Sequence, residues 1–346
     1  MAGPRRPGGP YAGDVQVLVA PDKFKGTATA TEAADAIGEG LEALGATVVR
    51  RPLADGGEGL LDVLGGANRT TTVSGPLGDP VDAQWRMSGR TAVIEAAQAS
   101  GLALVGGAEG NDAIAASTYG TGELIAAAVD AGARRVVVGV GGSATTDGGL
   151  GALRALYPLQ RLRGIELEVA CDVHLGFVDA AEVFAPQKGA GPAQVDLLRR
   201  RLERLVQVYA DDYGVDVAEL EGAGAAGGLA GGLACAGATL MPGFDLVADR
   251  VGLDELIEAA DLVVTGEGFL DDESFDGKVV GGVALMADEL GVPVVAVVGE
   301  CFDDAEQRIA VVSLVEAFGR QRAMRETRAC LVAAAQLALD AARRSR

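Results

Sequence analysis

Lysine is scarce in this chain, and its four occurrences point to chemistry. Of 29 Lys and Arg residues only Lys23, Lys25, Lys188 and Lys278 are lysines, leaving 25 arginines. A position that merely needs a surface cation has been given arginine, so the lysines mark places that need a compact ammonium charge, such as beside a phosphate. "APDKFKG" (20–26) holds two of them. There Asp22 can bind Mg2+ or a hydroxyl, and Lys25 a phosphate oxygen. The plainer reading is a capping turn for the next helix through Thr27, Thr29 or Thr31, which does not need two lysines. "LADGGEG" (53–59) sets Asp55 and Glu58 around two glycines. Two carboxylates on a tight turn suit metal binding or general-base work, or simply a helix start that favours acids.

The sharpest single signal is "VGVGGSATTDGGLG" (138–151). A strand runs into Gly141 and Gly142, then into Ser143, Thr145 and Thr146 before a helix. Bare backbone N–H groups, hydroxyls and a helix start together make an anion site. Asp147 would repel a phosphate there unless it holds a metal; otherwise the glycines serve tight packing. "EVACDV" (168–173) puts Asp172 at a strand end as a base, a metal ligand or an ordinary turn aspartate. "APQKGAGP" (185–192) exposes Lys188 on a turn. "GAGAAGGLAGGLACAG" (222–237) carries Gly224 and Gly227 with no strand before it, which suggests a first turn at a ligand and a structural remainder. "TGEGFLDDESFDGK" (265–278) combines Glu267, Asp271 and Asp272 with Lys278. It is not a Walker A loop, because Asp occupies position 272 and Val279 follows the lysine.

The elements that must carry these turns read as α/β. "VQVLVAPD" is a buried strand, a helical pattern follows, and "ATVVRRPL" is a second strand, so the chain opens as βαβ with a parallel sheet. "ADLVVTGEG", a helix from about 278 to 290, "PVVAVVG" and "AVVSLVE" repeat the pattern near the other end. Residues 70–98 alternate and carry turn signals, so they read as antiparallel strands. The expected fold is two α/β lobes. One is a flavodoxin-like doubly wound parallel sheet built from both chain ends (15–66 and 240–346); the other is an inserted mixed-sheet lobe (67–239). Residues 1–14, rich in Pro, Gly and Arg, read as a disordered leader.

Composition narrows the function. A net charge of −20 argues against a nucleic-acid partner. The four cysteines form no C-x-x-C pair, and a single histidine rules out a histidine-rich metal site. No apolar run is long enough for a membrane span. A cytoplasmic protein that takes a small-molecule partner and can pair as a homodimer is expected.

Taken in order, "APDKFKG", "LADGGEG", "SGPLGDPV", "IEAAQASGL", "YGTGELI", "GVGGSATTDGG", "VACDV", "PQKGA", "GAGAAGGL" and "VVTGEG…GK" resemble the bacterial glycerate kinase family of the D-glycerate 2-kinase type, from about Val15 to the last helix. The resemblance implies ATP- and Mg2+-dependent phosphorylation of D-glycerate to 2-phosphoglycerate. Lys25, Lys188 and Lys278 would meet phosphate or the glycerate carboxylate, and the Gly141–Thr145 loop would cradle phosphate, with Gly224 and Gly227 at the cofactor. Asp55 or Asp172 would accept the substrate proton, and Asp22, Asp147 or Glu267 would help hold Mg2+. Departures stand against this pattern: the segment after "GGLGAL" is shortened, the stretch after "ACDV" is altered, Phe269 replaces the family's arginine and Glu273 its glutamine. A related small hydroxy acid as substrate follows from these changes. So does an alternative, a catalytically impaired member that binds a nucleotide or small acid and regulates.

Overall fold

The computed structural model describes residues 15–171, 174–302 and 308–344. The leader read over 1–14 and the candidate base Asp172 lie outside them. The chain forms two compact units, one made of the stretches up to Ala54 and from Ala248, the other of Asp55–Val247. The first unit opens with β1 (Gln16–Val19), α1 (Ala30–Ala43) and β2 (Thr47–Arg50). The second holds α2 (Leu60–Val63), β3 (Arg69–Ser74), β4 (Pro80–Ser88), β5 (Thr91–Glu95), α3 (Ala97–Ser100), α4 (Tyr119–Asp130), β6 (Arg135–Gly139), α5 (Leu150–Leu156), β7 (Glu166–Cys171), α6 (Ala180–Phe184), α7 (Pro192–Tyr213), α8 (Ala225–Cys235) and β8 (Thr239–Pro242). After α9 (Gly243–Val251) the first unit resumes with α10 (Leu253–Glu258), β9 (Leu262–Leu270), α11 (Val279–Glu289), β10 (Val294–Cys301), β11 (Ala310–Ser313), α12 (Leu314–Phe318), α13 (Arg320–Arg325) and α14 (Thr327–Arg344).

In the first unit the strand order is β2-β1-β9-β10-β11, and every pairing is parallel. That is the flavodoxin-like doubly wound order expected from both chain ends. Central strands covered on both faces must be apolar throughout, and Val17–Val19 and Leu262–Val264 are almost fully buried. In such sheets the order in which strands are laid down reverses between the first strand and its inner neighbour, and ligands bind beyond the carboxyl ends there. The turns after β1 and β9 that carry Asp22, Lys25 and Glu267 occupy that position.

The second unit has a six-stranded sheet ordered β3-β4-β5-β6-β7-β8. β3 to β5 pair antiparallel and β5 to β8 parallel, so the sheet is mixed, as the alternating run followed by apolar runs requires. Its core is aliphatic, with Ile94, Leu124, Ile125, Val138, Leu156 and Leu229 packed together. The edge strand β8 has no sequence signal of its own, being four residues after a glycine-rich helix that end on Pro242. Among the described residues no helix is long and apolar enough to cross a membrane.

Of the three threonines after Lys25, Thr29 is the cap. Its hydroxyl accepts from the Glu32 N–H at 3.1 Å and the Glu32 carboxylate accepts from the Thr29 N–H at 2.9 Å, a reciprocal capping box. Thr29→Ala is expected to lower stability by about 1 kcal/mol, seen as a lower urea midpoint with an unchanged slope in far-UV circular dichroism.

Candidate active site

The turns of the second unit come together because they lack side chains. A Cβ on Gly141 would lie 2.8 Å from the Gly57 Cα, and one on Gly139 2.6 Å from the Gly56 carbonyl oxygen. The loop carrying Asp55 is thereby pressed against the loop that follows β6. Asp55 is half-buried, and its Oδ1 accepts from the Gly57 N–H at 3.2 Å. Gly142 takes a positive φ of 66°, and its carbonyl accepts from the Leu102 N–H at 2.9 Å. Ser143 then bridges to Gly101, and the Ala144 N–H donates to the Ser100 carbonyl.

Lys188 is not on the surface as its turn suggested: it is 4% exposed. Its Nζ donates to Ser143 Oγ at 2.9 Å and to the Thr145 carbonyl at 2.6 Å. Burial pushes its pKa down to about 7, against a smaller opposing pull from Asp147. The amine thus clamps the Ser143–Thr145 turn from within. Asn111 completes the clamp, its Nδ2 donating to the Ala144 and Lys188 carbonyls at 2.9 and 2.8 Å. The hydroxyls of Thr145 and Thr146 are buried without a hydrogen-bond partner, although buried polar groups are nearly always paired.

Asp147 is spoken for. Its Oδ2 accepts from the N–H and hydroxyl of Thr118, both at 2.9 Å, and from the Gly151 N–H, and its Oδ1 accepts from the Gly149 N–H. The two glycines read at a ligand meet protein backbone instead. A Cβ on Gly227 would lie 2.1 Å from the Thr145 carbonyl oxygen, and one on Gly224 2.4 Å from that of Gly176. Gly227 is in the left-handed region, as is its neighbour Ala226 at φ 53°, and they kink α8 against the Thr145–Thr146 turn.

In the first unit the second group of candidates gathers at the strand ends. The Asp22 N–H donates to the Gly266 carbonyl at 2.7 Å, tying the end of β1 to β9 beside Glu267. Lys25 stands exposed on a turn closed by paired Phe24 and Ala28 backbone bonds. Glu267 is partly buried, and its Oε1 has no hydrogen-bond partner. Burial pushes its pKa up to about 7, with Asp22 raising it further while Ser274 and Lys278 oppose. Lys278 occupies the N-cap position of α11 without a side-chain capping bond, and its Nζ lies 3.5 Å from Glu273.

A family model described as the glycerate kinase family matches residues 17–157 and 158–344. The chain is 40% identical to a glycerate kinase from Halalkalibacterium halodurans over 82% of its own length and 85% of that protein's. It is 38% identical to a glycerate 2-kinase from Escherichia coli over 84% and 86%. The chain belongs to the glycerate kinase family. A crystal structure from Salmonella typhimurium LT2, described as a candidate glycerate kinase 2, matches with a TM-score of 0.78 at 34% identity, covering 96% of this chain and 100% of that one.

The oxygen donors of this phosphotransferase fit a magnesium ion in the first unit. Mg2+ is usually held by one or two carboxylates, with waters and substrate phosphates completing its shell. Glu267 offers an unpartnered carboxylate oxygen close enough to Asp22 to feel its charge. Asp147, whose oxygens already accept five bonds, the Ser117 hydroxyl at 3.5 Å among them, fits less well.

Glu95, at the end of β5, escaped the reading of this kinase's sequence. Its Oε1 accepts from the Gly59 N–H at 3.0 Å and the Leu61 N–H at 2.8 Å, which fixes the loop bearing Asp55. Burial raises its pKa, opposed by those two bonds. The available signal was one acid closing the otherwise apolar run "TAVIE". Asn111 carried no signal, because its role depends on two segments that meet only in the fold.

The lowered pKa of Lys188 has a signed consequence. Between about pH 7 and 10.5 the unfolded chain holds a proton that the folded chain does not, so stability rises with pH across that window. Urea midpoints of the wild type and Lys188→Met at both ends of the window are expected to diverge in the wild type's favour at the alkaline end. The pH-independent loss of the two hydrogen bonds cancels from that comparison.

Proposed function

We propose that this protein transfers the γ-phosphoryl group of ATP to a hydroxyl of D-glycerate, giving 2-phosphoglycerate, with Mg2+ as cofactor. The observation that carries the reading is the chemistry of the strand-end turns. One set offers an exposed ammonium at Lys25 with the Asp22–Glu267 carboxylates. The other offers an internally clamped, hydroxyl-lined turn at Ser143–Thr146. Phosphoryl transfer needs positioning and charge neutralisation more than covalent help from the protein. When bound by Asp22 and Glu267, Mg2+ would neutralise charge on the phosphates.

In this reading Lys25 and Lys278 contact phosphate oxygens. The N–H groups from Gly141 to Ser143 and the Thr145 and Thr146 hydroxyls hold an anionic oxygen of substrate. Lys188 positions that turn rather than touching the ligand, and Gly224, Gly227 and Asp147 hold the backbone around it. Asp172 or Asp55 accepts the proton of the attacking hydroxyl.

Coupled ADP-release assays are expected to show turnover that requires both D-glycerate and Mg2+. Lys25→Ala is expected to lower kcat/KM by roughly 100- to 1,000-fold, the loss typical of one charge-stabilising donor. Of Asp55→Asn and Asp172→Asn, the one that removes the base should cost about 100- to 10,000-fold. Turnover unchanged in all three variants would overturn the assignment of the site, and ADP release indifferent to D-glycerate would overturn the substrate.

A further inference from the structure

The end of β5 is an unfavourable place for an acid. Glu95 is 7% exposed there, and the strand's other buried residues are Ala92, Val93 and Ile94. Burial raises its pKa; hydrogen bonds from the Leu61 and Gly59 N–H groups and from Gln98 oppose the rise, and the charge of Glu58 adds to it. A buried carboxylate destabilises the fold unless hydrogen bonds compensate it, whereas an apolar residue would complete the strand with no such penalty. The acid is therefore explained by what its hydrogen bonds do, and both backbone bonds go to one loop of the second unit.

A local residue could not do the same. α2 starts at Gly59, whose φ of 98° favours glycine and which brings no side chain to cap the helix. Ser, Thr, Asp or Asn would normally supply that cap from within the turn. Here it comes from another strand, because Glu95 Oε1 accepts from the Gly59 N–H at 3.0 Å and the Leu61 N–H at 2.8 Å. A local cap steadies a helix start, but a cap from β5 also ties the loop to the sheet. Glu95 lies opposite Gly139 in the parallel pairing of β5 with β6. Gly139 is the residue whose Cβ would lie 2.6 Å from the Gly56 carbonyl oxygen. Two neighbouring positions of the sheet thus hold one loop, Gly139 by close contact and Glu95 by hydrogen bonds. Asp55 opens that loop, with its Oδ1 turned back onto the Gly57 N–H at 3.2 Å, so its carboxylate moves with the loop.

We propose that Glu95 is a positioning residue for phosphoryl transfer: by capping α2 from the neighbouring strand it holds Asp55 at the height over the sheet where the attacking hydroxyl gives up its proton. The inference rests on the kinase reading above and adds to it the device that aims one of its two candidate bases. Glu95 acts through the loop and not on the reacting atoms. A glutamine in its place keeps one acceptor oxygen for the two N–H groups, and an alanine keeps none.

The test is a double-mutant cycle between Glu95 and Asp55, read as single-turnover rates with enzyme in excess, with D-glycerate and ATP KM values alongside. Misplacing a catalytic group by roughly 1 Å can slow a reaction about 100-fold. Glu95→Ala is therefore expected to lower the rate by about that factor with both KM values unchanged, and Glu95→Gln to restore most of it. In the Asp55→Asn background Glu95→Ala is expected to slow the rate little further, because residues that act as one unit are not additive. A purely structural Glu95 would lower the folded fraction, and with it the rate, by the same factor in both backgrounds. If Glu95→Ala does not fold by far-UV circular dichroism, Glu95→Asp carries the same cycle, since it keeps the charge and withdraws the oxygen by one methylene. Equal losses in the two backgrounds, a loss confined to KM, or a rate that Asp55→Asn leaves unchanged would each overturn the positioning role and leave the kinase reading standing. A wild type that releases no ADP in response to D-glycerate would remove both.

Discussion

Backbone-on-backbone contact is the constraint on which the second unit's site depends. Gly56 and Gly57 meet Gly139 and Gly141 at distances that exclude a Cβ, so the Asp55 loop and the Ser143 loop share one position. Bare glycines leave amide hydrogens unshadowed, which is what an anion requires. Close approach alone would leave such a turn soft. Lys188 stiffens it from the buried side with two hydrogen bonds, and Asn111 stitches the same turn to the chain around Lys188. Burying an amine is costly, and here the cost appears as a pKa pulled down to about 7. An enzyme that holds an anionic substrate oxygen by backbone groups benefits from a turn that cannot relax around it.

The first unit uses a different device. Its parallel strands are apolar to the core and end in acids and glycines, so charge is concentrated where the sheet stops. Glu267 lies one strand from the tied Asp22 turn, with an oxygen that no protein donor satisfies. A buried carboxylate oxygen without a hydrogen-bond partner is unfavourable by itself, and a bound cation would relieve it. Beyond the same edge Phe269 and Phe302 stack on each other.

Much of this architecture was legible in advance. The flavodoxin-like order follows from apolar runs at both chain ends joined by helical patterns, because parallel strands buried on both faces cannot alternate. The antiparallel start of the second sheet was legible in the alternation from 70 to 98. β8 was not, since a four-residue edge strand is made by its neighbour β7 rather than by its own residues. At the site, the strand-end turns were visible as clusters of glycine, acid and lysine. Roles within them were less so. Lys188 looked exposed because its turn is rich in Gly and Pro, and those residues report backbone shape without reporting what covers it. Gly224 and Gly227 looked like ligand contacts because the same lack of a side chain serves a ligand and a packed neighbour equally well.

The amino-acid sequence by itself determined the fold class, the family and the short turns in which the chemistry lies, because periodicity, glycine placement and residue type act locally along the chain. Tertiary structure alone decided which of those groups are occupied by the protein and which are left open. Asp147 is saturated by Thr118 and nearby amides, Lys188 is turned inward, Glu95 grips a loop 34 residues away, and Glu267 keeps an unpartnered oxygen. Hydrogen-bond saturation and desolvation depend on segments distant in sequence, and no local pattern encodes them.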